Sequence, residues 1–156
     1  MKIRFERANI EDAETLIDIR NLCFYKDYLK YGVCPGYNIT KEQMRNSIIH
    51  RISYKIICGN QIVGNISVKD NKDNTYYLSC LCVIPDYENK GIGQSAIHFI
   101  EQEFPDASSW TLETPADKVR NHYFYKKMGY NLVKEIDEGP VKLVVFEKII
   151  KNEEDI

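Results

Sequence analysis

The run Val83-Ile84-Pro85-Asp86-Tyr87-Glu88-Asn89-Lys90-Gly91-Ile92-Gly93-Gln94-Ser95-Ala96 sets the tightest limits on this chain: an apolar strand enters a short glycine loop that opens an amphipathic helix. The first amides of a helix have no intrahelical acceptor, and the helix dipole adds partial positive charge there. Glycines let an anion approach the main chain without meeting a Cβ, so the junction predicts a site for a phosphate-bearing ligand. Gly91 and Gly93 serve equally well as plain turn formers, and a lone G-x-G does not decide between the two readings.

Length and charge narrow the ligand class. A chain of 156 residues fits one domain, expected over 1–150, with a charged tail at 151–156, and buries roughly 70% of its unfolded surface without a disulfide or metal staple. Lys and Arg number 21 against 23 Asp and Glu, a formal net charge of −2, which lacks the basic footprint of a nucleic-acid binder and favours a small ligand or a protein partner. No apolar run approaches the ~20 residues that span a bilayer, and the polar start Met1-Lys2-Ile3-Arg4-Phe5-Glu6 reads as neither signal peptide nor anchor. A cytoplasmic protein without membrane contact is expected.

Cys23, Cys34, Cys58, Cys80 and Cys82 form no C-x-x-C and stand at no zinc-finger spacing, so they read as reduced thiols. Cys80 and Cys82 share one face of a strand, as core residues do, while Cys34 lies beside Pro35 and Gly36 in a loop. His50, His98 and His122 have no ligand motif near them, and no metal is expected. No Ser-His-Asp or G-x-S-x-G pattern is present.

Periodicity orders the elements. Residues 3 to 8 alternate as a strand; Asn9 caps a helix carrying Ala13, Leu16, Ile17, Ile19 and Leu22; and Thr40-Lys41-Glu42-Gln43 is a capping box opening a helix to about His50. An aromatic loop is expected between these helices. Strands at about 52 to 58, 62 to 69 and 76 to 84 suggest an antiparallel meander. From Gly91 a helix carries Ala96, Ile97, Ile100 and Phe104 and ends before Pro105; a strand at about 108 to 113 follows by a parallel crossover. Thr114-Pro115-Ala116-Asp117 is expected to start a fourth helix, with proline at its first position, that ends at Gly129. Strands at about 130 to 136 and 141 to 148 close the chain.

This order, β-α-α-β-β-β-α-β-α-β-β, resembles the GNAT acyltransferase superfamily over nearly the whole length, as a small single-domain member of the bacterial type. Two motifs carry the resemblance. Leu81 to Gly93 is similar to the family's strand and pyrophosphate loop, [Q/R]-x-x-G-x-[G/A], read here as Glu88-Asn89-Lys90-Gly91-Ile92-Gly93. Glu88 replaces the usual Gln or Arg, with Lys90 nearby to offset its charge. Asn121-His122-Tyr123-Phe124-Tyr125-Lys126-Lys127-Met128-Gly129-Tyr130 is similar to the family's helix ending in Y-x-x-x-G-[F/Y]. Lys118 stands where many relatives have an Asn, seven residues before the Tyr; Asn121, four before it, falls on the same helix side.

The resemblance implies an α/β mixed-sheet fold in which acyl-coenzyme A enters an opening between the fourth and fifth strands. It implies main-chain contacts from Leu81, Cys82 and Val83 to the pantetheine, amides of Asn89, Lys90, Gly91, Ile92, Gly93 and Gln94 on the pyrophosphate, and Asn121 toward the cofactor. It further implies direct attack of an amine on acetyl-coenzyme A, with Tyr125 as general acid and Glu113 as candidate base. Tyr125 also reads as a packed aromatic, and Glu113 as a solvent-facing carboxylate beside which water takes the proton. Tyr25, Tyr28, Tyr31 and Tyr37 are expected to border the acceptor, by cation–π contact with an amine, or else to cover a core edge. The expected function is N-acetylation of a small-molecule primary amine by a monomer or homodimer; the alternatives are a protein N-terminal or lysine acceptor, and a noncatalytic acyl-coenzyme A binding module.

Overall fold

The structure, a computed structural model, describes residues 2–137 and 139–150. The expected tail at 151–156 lies outside the described residues.

Alternation and capping set the start of the chain. β1 (Ile3–Arg7) leads to Asn9, whose side chain closes a capping box on a short 3-10 turn at Ile10–Asp12 before α1 (Ala13–Tyr31). Thr40 and Gln43 close a second box on α2 (Lys41–His50). β2 (Ile52–Cys58), β3 (Gln61–Asp70) and β4 (Thr75–Val83) form the expected meander, followed by α3 (Ile92–Glu103), β5 (Ser109–Pro115), α4 (Val119–Lys127), β6 (Asn131–Ile136) and β7 (Leu143–Ile149). The seven strands make one sheet in the order β1-β2-β3-β4-β5-β7-β6, and β4 with β5 is its parallel pair.

Two expectations are corrected. Tyr25, Tyr28 and Tyr31 do not lie in a loop: α1 continues to Tyr31 and stops where Gly32 takes φ +74°. Their spacing of three is helical, and of the four tyrosines only Tyr37 belongs to the connection. Thr114 and Pro115 do not begin α4: they extend β5, opposite Val144 and Leu143 of β7, and α4 starts at Val119. The Ala116 amide donates to the Lys142 carbonyl on the β7 side, so the neighbouring position 115 turns its nitrogen the other way. β4 has already separated there, and a missing N–H costs no ladder bond.

Packing explains why β4 and β5 separate. β5 pairs with β4 only through Ser109, Trp110 and Thr111, opposite Thr75, Tyr76 and Tyr77. Trp110 is almost fully buried and stacks on Tyr76 at 5.0 Å, pinning the joined end. Beyond it, Ser79 has no partner on β3: Ser67 faces Cys80 and Val68 faces Leu78, so β4 carries a one-residue bulge. A bulge bends its strand and switches the face of the residues beyond it. Leu78 lies on the α3 side with Val68, while Cys80 and Cys82 lie on the α1 side with Ser67 and Asn65.

The helices cover the two faces. On one, Phe99 of α3 stacks on Phe5 at 4.4 Å and meets Tyr54 edge-on at 5.0 Å. On the other, the buried guanidinium of Arg20 in α1 donates to Asn65 Oδ1 at 2.8 Å, and Asn65 donates in turn to Ser53 Oγ and the Tyr54 carbonyl. A buried charge is tolerable only when so bonded. The bond fixes the rotation of α1 over β3 and β4, and with it the direction of Cys23 and Phe24.

Candidate active site

From Leu78 to Val83 the β5 side of β4 has no strand partner. An unpaired strand edge is a row of donors and acceptors that an extended ligand can match. At its end the chain turns through Pro85–Tyr87 into the glycine loop, where Asn89 and Gly91 hold φ +62° and +79° and Gly91 caps α3. None of the six amides from Asn89 to Gln94 donates to a described backbone carbonyl; bonding resumes when Ser95 N–H donates to the Gly91 carbonyl at 3.1 Å. Consecutive free amides at a helix start suit a diphosphate, by hydrogen bonding and by the dipole.

Both features open into one cleft of about 550 Å³. Leu81, Cys82, Val83, Asn89, Gly91, Ile92, Gly93, Gln94, Asn121 and Tyr125 line it together. The Lys90 side chain is exposed and outside the lining, so its contribution is confined to its amide. The Asn121 side chain donates to Thr114 Oγ1 at 3.0 Å and faces the cleft from the first turns of α4.

Arg120 was not among the expected site residues. It lines the cleft, forms an ion pair with Glu88 at 3.6 Å and donates to the Asn89 side chain. It therefore balances the carboxylate that replaces the family's usual Gln or Arg, a part expected of Lys90. The spacing of Arg120, Phe124 and Lys127 is that of one helix face, and all three line the cleft. Phe24 and Cys23 of α1 close the other wall.

Tyr125 is buried, with its ring edge-on to Phe124 at 5.0 Å and 6.1 Å from Phe146 between centroids. Burial, with a smaller contribution from the Cys80 charge, pushes its phenol well above the usual tyrosine range. The group stays protonated at neutral pH, as a proton donor must.

Glu113 lies elsewhere. Its neighbour Leu112 pairs with Phe146, the residue beside Tyr125. Successive strand residues face opposite sides, so Glu113 points away from Tyr125, exposed and outside the cleft lining. Its charge adds to burial in raising the Tyr77 phenol, which places it beside the α1 face of β4.

The expected acceptor tyrosines are brought together. Tyr28 stacks on Tyr37 at 4.6 Å and Tyr25 lies 6.0 Å from the same ring. Tyr31 is separate: its hydroxyl donates to Asp117 at 2.7 Å. Lys30 pairs with Asp117 at 3.2 Å and Lys118 with Asp27 at 2.7 Å, so the end of α1 is tied to the turn before α4. None of the four tyrosines lines the coenzyme-sized cleft. Tyr25 instead lines a separate groove with Leu22 and Pro85.

A family model described as Acetyltransferase (GNAT) family matches residues 13–130. An uncharacterised N-acetyltransferase of Oceanobacillus iheyensis is 28% identical over 154 residues, covering 85% of this chain and 90% of that protein. Among solved structures, the PaiA N-acetyltransferase of Thermoplasma acidophilum in complex with coenzyme A superposes with a TM-score of 0.81 at 22% identity, covering 96% of this chain and 100% of that one. The ribosomal-protein-S18-alanine N-acetyltransferase of Escherichia coli gives 0.78 at 11% identity, with 97% of each chain covered.

Proposed function

This chain belongs to the acetyltransferase (GNAT) family, and from that premise we propose that it transfers acetyl from acetyl-coenzyme A to the primary amine of a small molecule by direct attack in a ternary complex. The observation that carries the reading is the continuity of the unpaired β4 edge with the six free amides of Asn89 to Gln94. An extended pantetheine arm matches the first and a pyrophosphate the second, in the order in which coenzyme A joins them. Acetyl-coenzyme A would supply the activated thioester; the chain supplies the rest.

In this reading the acceptor approaches through the gap between β4 and β5 from the α1 face, where Glu113 lies. Glu113 removes a proton from the ammonium, directly or through water, leaving a neutral nucleophile. Tyr125 on the other side protonates the departing thiolate. The small-molecule acceptor is favoured by the Tyr31–Asp117 and Lys118–Asp27 ties, which bound the mouth between α1 and α4 where a peptide would need an open groove.

Thiol release from acetyl-coenzyme A across polyamines, amino acids, aminoglycosides and peptides tests the reading: turnover is expected with a small amine and not with peptides. Preference for peptides would replace the acceptor class, and coenzyme A binding without turnover on any amine would favour the noncatalytic module. On the responsive amine, Tyr37→Ala should raise KM for the amine more than for acetyl-coenzyme A, because it removes the central ring of the Tyr25–Tyr37–Tyr28 group and Tyr37 does not line the cleft. A change confined to the acetyl-coenzyme A constant would take the ring group out of acceptor binding.

A further inference from the structure

Glu88 places a carboxylate directly before the six free amides of Asn89 to Gln94. A phosphate docking on those amides is repelled by it unless a cation stands between them. Among the described residues, the cations lining the cleft are Lys118, Arg120 and Lys127. Lys118 is held by Asp27 at 2.7 Å, and Lys127 lies about two turns further along α4 than Arg120. Arg120 is the one that reaches the loop. α4 lies on the first turn of α3, since a Cβ at Gly93 would meet the Phe124 ring at 3.3 Å, and Arg120 is one turn before Phe124 on the same face. Its guanidinium donates to Asn89 Oδ1 and pairs with Glu88 Oε2 at 3.6 Å. The hold on Glu88 is loose: an ion pair without a hydrogen bond, between side chains 65% and 39% exposed. Such a pair contributes little, and the guanidinium keeps donors free for another anion. A phosphate matches the planar fork bidentately and is the stronger competitor in the cleft.

We propose that Arg120 is a coenzyme-binding residue that changes partners: paired with Glu88 in the free protein, it moves to a phosphate group of coenzyme A on binding, so that Glu88 competes with the coenzyme for the same guanidinium. The exchange rests on the acetyltransferase reading of the cleft. It assigns two effects to Glu88, repulsion of the phosphate and retention of Arg120, and both weaken coenzyme binding. It assigns Arg120 a direct contact and not only the neutralisation of Glu88. The phosphate belongs to the pyrophosphate or to the 3′-phosphate of coenzyme A, and the chemistry of the contact is the same for both.

The test measures coenzyme A affinity by calorimetry for wild type, Glu88→Gln, Arg120→Gln and the double variant. Both side chains are partly exposed, so neither change empties a buried site, and melting without ligand checks that each variant folds. Glu88→Gln should bind more tightly than wild type. Arg120→Gln should weaken binding by about tenfold in the Glu88→Gln background, and by about two- to threefold less than that in wild type, where freeing Arg120 from Glu88 already costs affinity. The wild-type affinity should also fall more steeply with salt than that of Arg120→Gln. A neutralising role alone predicts that Arg120→Gln has no effect once Glu88 is Gln, and that result overturns the contact. Equal losses in the two backgrounds, or no tightening by Glu88→Gln, overturn the competition. Dephospho-coenzyme A identifies the group: a loss that persists places Arg120 on the pyrophosphate, and a loss that disappears places it on the 3′-phosphate. Failure of wild type to bind coenzyme A at all overturns the coenzyme reading and the exchange with it, whereas tight binding indifferent to Arg120 in the Glu88→Gln background overturns the exchange alone.

Discussion

Tyr125→Phe should lower kcat by about 10² to 10⁴, the range for losing one positioned proton donor, while coenzyme A still binds. The ring and its contacts with Phe124, Tyr130 and Phe146 survive the change, and core volume is almost unaltered. No hydrogen bond contributes to the state of the Tyr125 phenol, so its removal orphans no partner and stability should hold within about 1 kcal/mol. A packing role predicts the reverse, near-normal turnover with at most a small loss of stability. The pH profile adds a second readout. Because the phenol is raised, its proton-bearing form persists beyond the ordinary tyrosine value of about 10, so the wild-type rate should show no descending limb from Tyr125 below that pH. Single-turnover kinetics with coenzyme A affinity measured in parallel separates the cases. A turnover within about threefold of wild type, with chemistry limiting, would remove Tyr125 from the mechanism.

Gly93→Asp should abolish coenzyme A binding without unfolding the protein. A Cβ at Gly93 would sit 3.3 Å from the Phe124 ring, tight but relieved by a small ring movement. A carboxylate in the first turn of α3 favours the helix by interacting with its dipole, worth about 0.3–1 kcal/mol at an exposed site, and replacing glycine removes a helix-weakening residue. The same carboxylate stands among the amides that would hold the pyrophosphate, so attraction becomes repulsion. Wild type should gain about 2.7 kcal/mol from coenzyme A at a hundredfold excess over its dissociation constant, and Gly93→Asp none. Gly93→Ala separates bulk from charge: it should retain a reduced shift. Equal shifts in wild type and Gly93→Asp would remove the loop from the account.

The parts of this fold written in local chemistry were legible in the sequence. The Thr40 box, the meander, the glycine loop and the end of α4 at Gly129 each depend on residues a few positions apart, and the structure has all four. The misread elements are those decided by partners distant in the chain. Pro115 satisfies the rule for a helix start, yet pairing with Leu143 keeps it in β5, at a position where the absent N–H faces the gap left by β4. α1 has apolar residues on its inner face and Leu22, Tyr25, Tyr28 and Leu29 exposed outside it, so no single stripe marks its length. The Ser79 bulge depends on register with β3, which the sequence of β4 alone does not encode.

The candidate site divides in the same way. The coenzyme residues follow from two motifs and meet in one cleft because the strand between the motifs carries α4 back to α3. Arg120 escaped notice because its value lies in its distance from Glu88, thirty-two positions away, and not in its own motif. Glu113 and Tyr125 are close in sequence but face opposite sides of the sheet; strand alternation could have shown this once Leu112 was assigned to the core.

The central claim is that acetyl-coenzyme A lies against the open edge of β4 with its pyrophosphate on the amides of Asn89 to Gln94. Amide hydrogen exchange with and without acetyl-coenzyme A tests it most directly, because these six amides lack backbone acceptors in the free protein and should exchange fast. The account predicts new protection at Asn89 to Gln94 together with Leu81 to Val83. Binding with no change in these two segments, or with protection concentrated elsewhere, would contradict it.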